Sequence, residues 1–137
     1  MSETTAPPIH APSIDDIARL AEAALETIPA PFLDVLRRVT MRIEDFPDEE
    51  TEREMELESP FDLLGLYRGG DLAQELANAS PLLPNTVYLY RRPILDYWCE
   101  TGESLEHVVR HVLIHEIGHH LGLSDDDMEA LEATEGG

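Results

Sequence analysis

The chain has 137 residues, enough for one domain with a real core. It carries 9 arginines, no lysine and 29 acidic residues, for a formal net charge of −20. That balance excludes nucleic acid and anionic membrane surfaces as partners, since both need a basic face. Residues 1–12 contain three prolines and few apolar side chains, and they read as a disordered arm. They show no basic n-region and no apolar h-region, and no apolar run in the chain reaches membrane-spanning length. The expected location is therefore cytoplasmic. Ser13 reads as an N-cap with Asp15 and Asp16 in the first turn of a helix. Its apolar stripe runs through Ile14, Ile17, Ala18, Leu20, Ala21, Ala24, Leu25 and Ile28. Pro29 and Pro31 interrupt that stripe, and a shorter helix from Phe32 to Arg38 follows.

Val39 to Phe46 alternates in β-strand fashion, with Met41 and Ile43 on one side and Arg42 and Glu44 on the other. The acidic stretch Pro47 to Ser59 reads as a surface loop with room for a short helix. A short apolar strand is expected near Leu64–Tyr67, followed by a glycine loop at Gly69-Gly70. No Lys-Ser/Thr pair follows that loop, so it is not a phosphate-binding loop. Asn85 to Arg91 has the clearest strand pattern, with Val87 and Leu89 opposite Tyr88 and Tyr90. Pro93 marks its end or a sheet edge. Ile94 to Glu100 reads as a short helical turn. Cys99 is the single cysteine; it rules out an intrachain disulfide and fits a reducing compartment. Its apolar neighbourhood beside Trp98 makes it a small core residue. Ser104 caps a long helix ending at His120 or Leu121, and Asp126 to Ala133 forms a last one.

The long helix carries the chemistry. His115-Glu116-Ile117-Gly118-His119 continues to Gly122 and Asp125, so the run is H-E-x-x-H-x-x-G-x-x-D. Two imidazoles four residues apart share a helix face and can reach one metal ion. A glutamate beside the first histidine suits a general base acting on metal-bound water. Gly122 can end the helix in a left-handed turn. Asp125 then returns as a third ligand, with a fourth position left for water. Asp126 and Asp127 compete for that role, and Asp125 could instead only cap the last helix. Further up the helix, His107 and His111 continue the four-residue ladder. Each step drifts about 40° and rises about 6 Å, so His111 cannot share an ion with His119. Positions around the ligands or on the surface are expected for both. His120 is expected to make a core or surface hydrogen bond. Gly118 permits close packing, against a strand if one lies there, and Met128 reads as core packing for the final helix.

Leu63-Leu64-Gly65-Leu66-Tyr67, Leu89-Tyr90-Arg91-Arg92-Pro93 and the run Arg110 to Asp126 together resemble the small bacterial zincin-like metallopeptidase family. The likeness spans residues 13–133 and is strongest from 61 to 128. It implies an α+β, minimal zincin-like domain over 13–133: a small mixed sheet of about three strands packed on a backing helix and an active-site helix. Residues 134–137 then form a tail. It implies Zn²⁺ as the metal, held by His115, His119 and Asp125, with Glu116 as the catalytic base. The implied activity is hydrolysis of a peptide or unfolded protein segment. The alternative is a zinc-binding regulatory module with little hydrolytic activity. Substrate is expected along Thr86–Tyr90 if that strand is an exposed edge, with Tyr88, Tyr90, Tyr97 or an arginine as candidate oxyanion stabilisers.

Overall fold

The computed structural model describes residues 11–29, 32–69 and 85–133. The expected disordered arm falls outside them except for residues 11 and 12, as do Gly70 and the 134–137 tail. The elements run α1 (Ile14–Leu25), α2 (Phe32–Leu36), β1 (Thr40–Glu44), α3 (Glu49–Glu54) and a 3₁₀ turn (Pro60–Asp62). Then come β2 (Gly65–Arg68), β3 (Thr86–Tyr90), α4 (Arg91–Thr101), α5 (Leu105–Gly118), a second 3₁₀ turn (His119–Leu121) and α6 (Asp125–Ala133). The α+β class is as expected, and the sheet is mixed: β1 lies parallel and β2 antiparallel to a central β3.

Local chemistry explains most boundaries. Ser13 and Asp16 make a reciprocal capping box at the start of α1. Asp48 caps α3, whose short helix interrupts the acidic loop. Ser104 accepts from the His107 N–H at the start of α5. Gly122, at φ 84°, ends the helical run in the left-handed conformation. One expectation fails at β3. The chain does not pause at Pro93 but turns directly from Tyr90 into α4, an eleven-residue helix beginning at Arg91. Pro93 occupies its first turn, where the missing N–H has no helical partner to lose. Cys99 is also not in the core. It is exposed, because α4 buries Pro93, Ile94 and Leu95 and turns Cys99 outward.

The inner face of the sheet presents Met41, Ile43, Tyr67, Val87 and Leu89 to the helices. Helix α5 buries Val108, Val109, Val112, Leu113, Ile114 and Ile117, and α1 backs it with Ile17, Ala21, Ala24 and Leu25. Each buried valine, leucine or isoleucine contributes about 1.5–3 kcal/mol, an upper figure given a partly collapsed unfolded chain. Arg110, only 2% exposed, ties the layers together. It donates to Thr27 Oγ1 at 3.2 Å and to the Leu131 carbonyl at 2.9 Å, joining α5 to the end of α1 and to α6. Arg110→Ala leaves those acceptors unmatched and a hole behind. Urea denaturation is expected to show a loss of about 2–4 kcal/mol.

Candidate metal centre

Because α5 is buried on most sides, its polar seam is narrow. His107, His111 and His115 lie along it at four-residue spacing, with ring centroids 6.4 Å and 4.2 Å apart. They open into a shallow depression of about 620 Å³ that α6 closes with Asp125, Glu129 and Glu132. His115 and Asp125 thus line one concavity. The side chain of His119, the second motif histidine, lies outside the described part of the structure.

The turn after α5 settles how the aspartates differ. Ser124 caps α6: its hydroxyl accepts from the Asp127 N–H, and Asp127 returns a carboxylate oxygen to the Ser124 N–H, each at 3.1 Å. Asp125 is therefore the first helical residue, not the cap, and Asp127 is engaged in the capping box. Gly118 does permit close packing, but the neighbour is Met128 of α6 rather than a strand. A Cβ on Gly118 would sit 2.4 Å from Met128 Sδ. Met128 is fully buried, as its core reading requires.

Glu116, one residue on and about 100° further round the helix, lies against β2. A Cβ added to Gly65 would stand 3.1 Å from Glu116 Cγ and 2.8 Å from Val112 Cγ1, so glycine lets this strand lie directly on α5. The Tyr90 N–H bonds to the Leu64 carbonyl at 2.9 Å. Antiparallel pairing alternates, so Gly65 and Tyr67 turn their backbone groups away from β3. The Tyr67 N–H is hydrogen-bonded to the Glu116 carboxylate. Burial outweighs that bond and pushes the Glu116 carboxyl up to about 7.

Two expectations are corrected here. The strand Thr86–Tyr90 is central, paired with β1 and β2, and cannot accept another strand. Among the described residues, the free edge beside Glu116 belongs to β2. Nor do Tyr88 and Tyr90 face the depression. They stack with centroids 6.2 Å apart on the outer face of the sheet, in a separate polar pocket with Arg42 and Arg68. Tyr97 packs against the core. His120 is exposed, with its ring 4.3 Å from that of Tyr67. Sequence reasoning missed Glu132, whose carboxylate reaches both His111 and His115. It also missed the Tyr67 N–H. The glycine at the start of β2, within an apolar run, was the available signal for the second; nothing local marked the first.

An antiparallel edge strand over a helix that carries H-E-x-x-H is the arrangement of a zincin. Residues 36–135 match the model of the zincin-like metallopeptidase family. The chain belongs to that family. No curated protein sequence matches this zincin-like chain significantly. Zincin-like metallopeptidases are zinc proteins of peptidase type, which gives the coarse character of this one. No helix among the described residues of this zincin-like protein is long and apolar enough to cross a membrane.

Proposed function

We propose that this chain is a cytoplasmic zinc-dependent peptidase that hydrolyses peptides or unfolded protein segments. His115, His119 and Asp125 would hold the zinc. The donor chemistry fits: two imidazoles and a carboxylate are an established zinc set, and the cap that could have claimed Asp125 is supplied by Ser124. Zinc, when bound, supplies Lewis-acid polarisation of the attacking water and of the scissile carbonyl.

The observation that carries this reading is the position of Glu116. It adjoins a motif histidine, is held against the outward edge of β2 by the Tyr67 N–H, and has its carboxyl near neutrality. A base with a pKa near working pH both accepts a proton from water and returns it to a leaving amine. A substrate strand pairing with the outward groups around Gly65–Arg68 would lie alongside that carboxylate. Main-chain pairing orders an extended peptide and selects against folded proteins, whose backbones are already paired.

The test is a peptide-library screen of the full-length protein with measured metal content. Stoichiometric zinc and cleavage that chelation removes and zinc restores support the reading. Asp125→Ala is expected to weaken zinc at least tenfold by calorimetry; undiminished affinity would reject that ligand. Stoichiometric zinc with no turnover of any peptide would make the chain a zinc-binding module instead.

A further inference from the structure

In the imidazole seam of α5, His107 pairs with Glu103 at 3.1 Å, while His111 and His115 share a different acidic side chain. Glu132, in the last turn of α6, sets one carboxylate oxygen 2.8 Å from His111 Nδ1 and the other 3.3 Å from His115 Nε2. One donor atom from each of the three residues lies within 4.8 Å of the other two, and all three residues are half-buried. The hold of Arg110 on the Leu131 carbonyl fixes the backbone next to Glu132 against α5. The cluster is thus framed by two helices that are pinned together, and its geometry does not depend on a loop.

We propose that His111, His115 and Glu132 form a second site for a divalent cation of the zinc class, one that inhibits hydrolysis by taking His115 from the first ion. Two imidazole nitrogens and one carboxylate oxygen select Zn²⁺, Co²⁺ or Ni²⁺ over Mg²⁺ and Ca²⁺, which prefer all-oxygen shells. Tetrahedral coordination at about 2.0–2.2 Å sets donors about 3.4 Å apart, so modest side-chain rotations close the cluster onto an ion. Asp125 and Glu129 at the rim, and the net charge of −20, add an attractive field for cations. The His115 nitrogen that faces Glu132 can serve one ion at a time. Binding here stands on the cluster alone; the inhibition rests on the function proposed above.

The experiment titrates metal-stripped, full-length protein with Co²⁺, read by calorimetry and visible absorption. In His119→Ala, one Co²⁺ per chain is expected to bind still. Adding either His111→Asn or Glu132→Gln is expected to weaken it at least tenfold. In the parent, excess Zn²⁺ is expected to slow peptide turnover, and His111→Asn to remove that slowing. No Co²⁺ binding by His119→Ala, or binding indifferent to both further substitutions, overturns the site. If the parent's first ion depends on His111 and Glu132 but not on His119, this site stands and the catalytic ligand set fails.

Discussion

Glu116→Gln is expected to abolish peptide turnover while making the metal-stripped protein more stable above neutral pH. Loss of a general base costs about 10²–10⁴-fold in rate, and the amide keeps an oxygen that can accept the Tyr67 N–H. The stability gain follows from linkage. Folding raises the Glu116 carboxyl from 4.5 to about 7. Between those values the folded chain holds a proton that the unfolded chain has lost, so stability falls as pH rises through that window. Above about pH 7 the full penalty is present, about 2 kcal/mol once partial exposure is allowed for. Glutamine cannot ionise and escapes it. Denaturation of the two proteins is therefore expected to diverge at pH 8 and converge near pH 4. Equal stability at pH 8 would show that burial does not strain the carboxylate. Such an exchange of stability for function is common where a charge is held out of water for chemistry.

The second large effect is at Gly65. Gly65→Ala places a methyl group 2.8 Å from Val112 Cγ1 and 3.1 Å from both Glu116 Cγ and the Tyr88 carbonyl oxygen. The Val112 contact is the tightest and lies on α5, so β2 is expected to lift from that helix. Overpacking of this kind costs about 1–3 kcal/mol. Lifting β2 also moves the Tyr67 N–H away from Glu116, and displacement of a reacting group by about 1 Å can cost about 10²-fold in rate. Both thermal stability and turnover are expected to fall. Val112→Ala makes room on the helix side. The double variant is therefore expected to be more stable than the sum of its single changes allows. Strict additivity would show that the contact with Val112 is not the source of the strain.

Both effects depend on β2 lying against α5, and the sequence revealed only half of that arrangement. The helix itself was legible. An apolar run without Gly or Pro, capped by Ser104 and closed by Gly122, leaves few alternatives to a buried helix. The β1 and β3 alternations likewise report which side of the sheet meets the core, since side chains change face at every residue. The Tyr90–Arg91 junction was not legible. A strand can pass into a helix without a turn residue, and a proline three residues later suits a first helical turn as well as a strand end. Cys99 was misplaced for a related reason: an apolar neighbourhood in sequence spans every side of a helix, and only the packing partner decides which side is covered.

What the sequence determined by itself is the chemistry bound to local periodicity: a long helix carrying His115 and Glu116, and a glycine stop before the aspartates. Those relations hold at any tertiary arrangement, because helix geometry and capping are settled within a few residues. The expected helix end at His120 or Leu121 is instead Gly118, with His119 opening the 3₁₀ turn that follows. Tertiary structure alone decided which strand is central, since pairing order depends on contacts between distant segments. It alone brought the Tyr67 N–H to Glu116. It also carried Glu132, seventeen positions after His115, back to the imidazole seam. That return reflects how α6 docks, with Met128 seated on Gly118 and Leu131 held by Arg110.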